Sequence, residues 1–518
     1  MNTTEEKKIE ITSTKDLKKE KSPERPAVKK TTKKLRKLSI NTSYCRGEIK
    51  LIRYLIAKNG WKEVTGTNGD ILWWGQSYFE DLSLATDILI NRLPGMRFMA
   101  HKKTTGQYLN IYRSYFPEQF DFFPRTFLLP EETSALQAEI DKKERKLYIV
   151  KPTDGSQGDG IYLCRTMKEI TSSKYVNSRG YVVQEYVDKP LIIDGKKFDL
   201  RVYVLISSVK PLIAFVNKEG LARFCTEDYE PPTNENIRDV YKHLTNYSLN
   251  KLSEKYVLTE ETQEINDGSK RTFCSLWKSV EKAGYDKDVI WSNIKELIRK
   301  LLIGFTPFIH FEYNTAFGPK NSGKCFQVIG VDILIDENLK PWLLEINNNP
   351  SLNIEHELEV AKSGPISPVD LMVKSMVVED AINLVRKKPE KQLELEEFKS
   401  YEKVFNGNEA EIEGMEVIGK ILEIYGKLSG FKFKETLGAT KFVKLAGVPI
   451  VANAGIDRQS LDILFTKIVG QNGTRQMDFL DFIHALEYIA GKATGTMSSE
   501  TKFKLVSCFV DCVHSSLK

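Results

Sequence analysis

Residues 331–351 read VDILIDENLKPWLLEINNNPS, a passage in which two short apolar runs are each interrupted by a polar side chain. Val331–Ile335 and Trp342–Ile346 have the length and content of buried strands, and Asp336, Glu337 and Asn338 supply a polar turn between them. Asp332 lies within the first run, Glu345 near the end of the second, and Asn347 two residues on. Period-2 alternation puts Glu345 and Asn347 on one face of an extended chain. If the strands pair, Asp332 joins them, giving two carboxylates and an amide oxygen. That is the hard-oxygen set Mg²⁺ accepts while leaving positions for phosphate oxygens. The competing reading is a hairpin whose acids face water, and spacing does not separate the two.

The rest of the chain narrows the choice. Its 518 residues allow more than one domain and a large core. Seven scattered cysteines form no CxxC pair and no Cys/His cluster of zinc spacing, so a disulfide framework and a zinc site are not expected. Cys508 and Cys512, one helical turn apart, read as core packing. No apolar run reaches bilayer length and the polar N-terminus does not read as a signal peptide, so no membrane association and a reducing cytoplasmic setting are expected. Residues 1–40 carry 13 Lys/Arg against 6 Asp/Glu, a balance of +7, so the remainder of the +6 chain sums to −1. Residues 1–38 lack a hydrophobic period and read as a disordered basic arm suited to a polyanionic surface.

Globular text begins after the arm. Glu48–Asn59 has helical spacing and is stopped by Gly60, while Asp70–Gly75 (DILWWG) reads as a buried strand. Residues 148–163, YIVKPTDGSQGDGIYL, form a strand, a Gly-rich loop and a strand. Lys151 ends the first strand, and glycines let the loop backbone approach a ligand closely. The loop lacks GK[ST] and a following helix, so it is no P-loop. It reads either as a flap over phosphates or as a plain hairpin. In KKFDLRVYVLI, Lys197, Asp199 and Arg201 share one face of a strand that runs into apolar text. Three charges there are costly unless they pair or bind a ligand. Arg223 in GLARF, then Thr245 and Asn246 in KHLTNYSLNK, follow. Asp288–Ile303 and Pro368–Lys388 read as packing helices.

Taken together, FPRTFLLP, KPTDGSQGDGI, LIIDGKKFDLRVYVLI, EGLARF, HLTNYSLNK and DILIDENLKPWLLEINNNPS make residues 39–388 resemble the tubulin tyrosine ligase-like family, in its polyglutamylase branch. The resemblance implies an α/β, ATP-grasp-type ligase core with N-terminal, central and C-terminal subdomains. It implies that ATP is held by Lys102, Lys151, Gln157, Gly158, Gln184, Glu185, Tyr186, Lys197, Asp199, Thr245 and Asn246, with Gln184 at the adenine. Mg²⁺ would be held by Asp332, Glu345 and Asn347, and Arg201, Arg223 and Glu345 would be catalytic. The partners implied are tubulin or microtubules through acidic tails and free glutamate as donor, with no nucleic acid. The cytoskeleton, in a cilium axoneme or basal body, is the place implied. An acyl-phosphate route needs no covalent enzyme nucleophile, and no Ser/His or Cys/His pair offers one. Asp159 departs from the family, which commonly has Arg or Lys there.

Residues 389–430 read as an acidic linker with a helix, with 9 Glu against 3 Lys over 390–416. From 431 to 495 the text resembles the tubulin polymerization-promoting protein family, which implies a small all-α, EF-hand-like domain associated with microtubules. Leu461, Leu464, Phe465 and Ile468 form one apolar face, and Phe479, Phe482, Ile483 and Leu486 another. Gly470–Asp478 lacks a calcium-loop pattern, so calcium is not expected. Residues 496–518 read as a terminal helix or tail. The competing reading of the whole chain is a microtubule-binding structural protein whose ligase core is narrowed or inactive.

Overall fold

The computed structural model describes residues 36–75, 88–142, 146–154, 158–171, 180–262, 264, 268–318, 323–356, 364–406, 416–430, 436–471, 475–494 and 499–516. The chain divides into Met1–Lys37 and Leu38–Lys518, and the second unit is the subject below. The basic arm expected over residues 1–38 falls almost wholly outside the described residues.

Three sheets carry the α/β part. The first is parallel, in the order β2-β1-β3-β4, from β1 (Ser39–Asn41), β2 (Lys62–Val64), β3 (Ile71–Leu72) and β4 (Leu89–Ile90). The second is antiparallel, in the order β5-β8-β6-β7, from β5 (Thr126–Leu129), β6 (Tyr148–Pro152), β7 (Tyr162–Cys164) and β8 (Tyr181–Glu185). The third and largest contains β9 (Ile192–Ile193), β10 (Lys196–Val209), β11 (Leu212–Phe224), β12 (Lys270–Thr272), β13 (Gln327–Ile335), β14 (Pro341–Asn347), β15 (Glu397–Phe398) and β16 (Tyr401–Asn406). Its main path is β14-β13-β10-β11-β16-β15, with β12 beside β11 and β9 beside β10.

The anticipated hairpin is β13–β14, and both strands are longer than the apolar runs alone implied. Asp336 holds the turn, its carboxylate accepting from the Asn338 and Lys340 amides and from the Trp342 indole. All of β13 is buried, Asp332 included. The large sheet is covered on both faces, which is why β10 and β11 read as nearly continuous apolar text.

Helices complete the layers: α1 (Ile49–Asn59), α2 (Lys102–Tyr115), α3 (Phe273–Lys282), α4 (Lys287–Phe317), α5 (Pro368–Val385), α6 (Glu416–Ser429), α7 (Arg458–Gln471), α8 (Phe479–Thr494) and α9 (Ser499–Ser516). Gly60 ends α1 with φ of 63°, the left-handed cap its sequence promised. The apolar period predicts a helix stopping at Ile303, yet α4 continues through Pro307 to Phe317. A proline inside a helix loses one ladder bond. Burial of Phe305, Phe308, Ile309 and Tyr313 in the core offsets that loss, and the Tyr112 hydroxyl donates to the Gly304 carbonyl nearby.

The C-terminal third departs most from expectation. In place of a linker over 389–430, β15 and β16 extend the large sheet, with Asn217, Val216 and Phe215 opposite Tyr401, Glu402 and Lys403. The many glutamates hid an alternation in which Tyr401, Val404 and Phe405 are buried. Helix α6 then packs on α4, where Gly426 lies against Phe311. Phe479 of α8 meets Tyr108, Phe308 and Tyr425, so one apolar core runs from the ligase-like part into these helices. The two anticipated apolar faces of α7 and α8 pack into it, all buried but Ile468, which is half-buried. Cys512, anticipated as core, is exposed, and Val510 and Val513 supply the buried face of α9 instead.

Candidate ATP and metal site

Antiparallel register builds the site on one face of the large sheet. Asp332 of β13 stands opposite Glu345 of β14 on one side and Arg201 of β10 on the other. One rung away, Asp199 of β10 stands opposite Arg223 of β11. Directly opposed residues project to the same face, so five charges cluster where a core would otherwise be apolar.

They pair closely. Arg223 grips Asp199 with two bonds of 2.7 Å and reaches Asp332 Oδ2 at 2.7 Å. Arg201 binds both oxygens of Asp332, with Nη2–Oδ2 at 3.0 Å. Thr245 Oγ1 donates to Asp199 Oδ2 at 2.6 Å. Burial by itself would raise the Asp332 carboxyl, but Arg201 and Arg223 hold it well below the usual carboxylate range. Burial raises Asp199 and outweighs the Arg223 guanidinium beside it, with the Asp332 charge adding to the rise. A side chain at position 330 would run into Arg201 Cδ at 2.8 Å, so Gly330 leaves that guanidinium its path across β13.

Two buried lysines face this cluster. Lys151 Nζ donates to Gln184 Oε1 at 2.8 Å, and Gln184 Nε2 donates to Thr126 Oγ1 at 2.9 Å. Gln184, expected at the adenine, therefore has its amide engaged at both ends and orients Lys151. Lys197 donates to the Tyr186 hydroxyl at 2.8 Å and to the His243 carbonyl at 2.9 Å, with its ammonium 4.2 Å from the Tyr186 ring centre. Burial pushes each ammonium down to about 8, partly opposed at Lys151 by Glu345 and at Lys197 by Cys225 and Asp199. Lys102 opens α2, and its charge adds to the downward push on Lys151.

Lys151, Gln184, Glu185, Tyr186, Lys197, Asp199, Arg223, Thr245, Asn246, Asp332 and Glu345 line one cavity. Arg201 and Asn347 touch Asp332 from outside that lining. Gly158, buried and with φ of 86°, lies where an added Cβ would come within 2.9 Å of Leu249 and 3.4 Å of Asn246. The glycine thus lets the loop settle onto the Thr245–Leu249 segment. Gln157 lies outside the described residues, and Asp159 is exposed beside Gly158. His243, Leu244 and Val187 also line the cavity; they sit in or beside the quoted motifs but carried no charge pattern to single them out.

Asn347 Nδ2 lies 3.4 Å from both Asp332 Oδ2 and Glu345 Oε1, so the anticipated trio converges. Two carboxylates and an amide whose oxygen and nitrogen can exchange places suit a hard divalent cation. Among the described residues no three His, Cys, Asp or Glu converge as a metal-holding group.

The family model described as "Tubulin-tyrosine ligase family" matches residues 81–393. The chain is 38% identical over 367 residues to tubulin polyglutamylase TTLL11 of Mus musculus, covering 68% of this chain and 49% of that protein. It is 39% identical over 332 residues to tubulin polyglutamylase ttll6 of Danio rerio, covering 62% of this chain and 40% of that protein. Against tubulin polyglutamylase TTLL13 of Mus musculus it is 35% identical over 364 residues, or 68% and 42%. The chain spans about half the length of the curated relatives it matches, or less. The family model runs from before the Gly-rich loop to beyond the β13–β14 hairpin, taking in every element that builds the cavity, and on that match the chain belongs to the tubulin-tyrosine ligase family.

Proposed function

We propose that the chain is an ATP- and Mg²⁺-dependent tubulin polyglutamylase, adding free glutamate to glutamate side chains or glutamate chains on tubulin C-terminal tails. The observation that carries the reading is that Lys151, Lys197, Arg223, Asp332 and Glu345 line one and the same cavity. Antiparallel sheets meeting at that cavity fit an ATP-grasp-like core.

Lys151 and Lys197, which line the cavity, would hold nucleotide phosphates, and Glu185, Tyr186 and Val187 would line the base. The acceptor carboxylate attacks the γ-phosphorus and ADP leaves. The donor amine then attacks the resulting acyl phosphate, phosphate leaves and an amide forms. Both steps build negative charge on oxygen, which preorganised Arg and Lys groups stabilise. Arg223 and Arg201 stand ready for it, each already fixed by carboxylates and so needing little reorganisation. Asp332, Glu345 and Asn347 would hold Mg²⁺, which supplies Lewis-acid neutralisation of phosphate charge.

The C-terminal helices are read as an EF-hand-like module resembling tubulin polymerization-promoting protein, holding the enzyme on a microtubule of the cytoskeleton, in a cilium axoneme or basal body. Support comes from Leu437 and Met477, whose amides and carbonyls exchange bonds of 2.8 and 3.0 Å and tie two helix–loop–helix halves together. Asp159, exposed in the Gly-rich loop, favours the second reading, a microtubule-binding protein with a narrowed core.

Labelled glutamate incorporation into stabilised microtubules, with ATP and Mg²⁺, tests the proposal. Wild type is expected to incorporate label and Glu345→Gln to lose about 100-fold or more, the scale of removing a preorganised charge-stabilising group. Undiminished incorporation by Glu345→Gln would sink the metal assignment.

A further inference from the structure

The last rung of the β13–β14 ladder pairs Gly330 with Asn347, so the chain leaves the sheet directly after its third metal candidate. The two carboxylates that Asn347 faces do not fix it. Its amide stands 3.4 Å from each, longer than the roughly 2.7–3.2 Å of an ordinary N–H···O bond. The position of this half-buried side chain therefore depends on the turn that follows it.

That turn is held from the N-terminal parallel sheet. Arg92, two residues past β4, donates from Nη2 to the Asn349 side-chain oxygen and from Nη1 to the Asn91 carbonyl at 2.8 Å. Asn349 Nδ2 in turn donates to the Gly75 carbonyl, just past β3, at 3.1 Å. Behind this clamp the Asn91 side chain accepts from the Trp74 amide at 2.6 Å, tying the ends of β3 and β4 together. Gln327, the first residue of β13, donates to the Asn348 carbonyl and accepts from the Leu93 amide at 2.7 Å. Both residues after Asn347 are thus gripped by side chains that also bind the stretch following β4.

Arg92 and Gln327 are 6% and 1% exposed. Burial pushes the Arg92 guanidinium down to about 10, opposed by Glu48 and Cys45, so it stays charged at neutral pH. Placing a guanidinium and an amide in a core is costly, and packing alone is served as well by apolar side chains. What the two polar groups supply is a set of directed bonds to the turn. Neither lines the cavity, so any effect on the site passes through that turn.

We propose that Arg92 and Gln327 are positioning residues for the divalent cation, locking the Asn348–Asn349 turn against the ends of β3 and β4 and so setting Asn347 against Asp332 and Glu345. The inference rests on the metal assignment above. It adds that the parallel sheet, which supplies none of the three candidate ligands, fixes their geometry.

Metal dependence of nucleotide binding tests this without turnover. The full chain is titrated with a fluorescent, non-hydrolysable ATP analogue, in EDTA and over a series of free Mg²⁺ concentrations. In Arg92→Met, Gln327→Met and Asn349→Ala the Mg²⁺ concentration for half of the gain in affinity should rise about tenfold or more, the scale for losing a group that orients a metal ligand. Affinity in EDTA should stay within about twofold of wild type, which certifies a folded nucleotide site. Asn349→Ala alters only a half-buried turn residue, so it decides the question even if a core variant fails to fold. Arg92→Met combined with Asn349→Ala should add little to either alone, because both cut the same bond. An unchanged Mg²⁺ requirement in a folded variant, or full additivity in the double variant, would overturn the inference. Glu345→Gln separates it from the metal reading. If that variant loses the Mg²⁺ response while the other three keep it as in wild type, the clamp falls and the metal site stands. If Glu345→Gln responds to Mg²⁺ as wild type does, the metal assignment falls and the clamp with it.

Discussion

Arg201 and Asp332 face each other across β10 and β13, the guanidinium gripping both carboxylate oxygens while Arg223 holds one of them from the other side. This buried carboxylate is thus held rigidly by two positive groups. Its geometry depends on a network rather than on its own rotamer, and that network is mostly buried.

Arg201→Met is therefore expected to destabilise the fold by about 3–5 kcal/mol, because it strips one partner from a buried ion pair. The double variant with Asp332→Asn should lose clearly less than the sum of the two single variants. Denaturant melts of all four proteins check this, and simple additivity would contradict the network.

Nucleotide affinity should fall as pH rises through about 8. Lys151 and Lys197 lose their protons near that value in the free protein, whereas bound phosphates would favour the charged forms. Fluorescent-nucleotide titrations from about pH 7 to pH 9 measure the slope, and Lys151→Met should flatten part of it. Stability has the opposite sign. Between about 8 and the unfolded value near 10.4, the unfolded chain binds protons the folded one has released, so both lysines contribute rising stability with pH.

Phe479→Ala should cost about 3–5 kcal/mol, the range for deleting a buried aromatic ring. Phe479 is 4% exposed and touches rings from α2, α4 and α6, so the loss should lower the melting of the whole ligase-like part and not of the C-terminal helices alone. Two separate transitions, with only one shifted, would show that the core is not shared.

Asp159→Arg should raise glutamate incorporation into tubulin about 5- to 30-fold if a like charge costing ~1–2 kcal/mol repels the acidic tail. The substitution is on an exposed residue, so the melting temperature serves as a control. No gain in incorporation would show that Asp159 does not limit acceptor use.

Much of the site was legible because its signals are local. Charged side chains at period 2 inside apolar runs marked Asp332, Glu345, Lys197, Asp199 and Arg201 before any fold was known. His243 and Leu244 of the cavity lining carried no such mark, since neither sets a charge inside an apolar strand. The glutamates of residues 390–416 disguised two strands, because an acid facing water and an acid in a linker look the same in one dimension.

Local periodicity, glycine placement and the alternation of charge with apolar residues were set by the sequence itself, for each depends on neighbours a few positions away. Tertiary structure alone decided which charges meet. Asp332 and Arg201 are 131 residues apart and Lys270 and Asp370 are 100 apart, and only strand register and helix packing bring them together. Pairing in a low-dielectric interior then determines which charges are neutralised, and no local pattern encodes that.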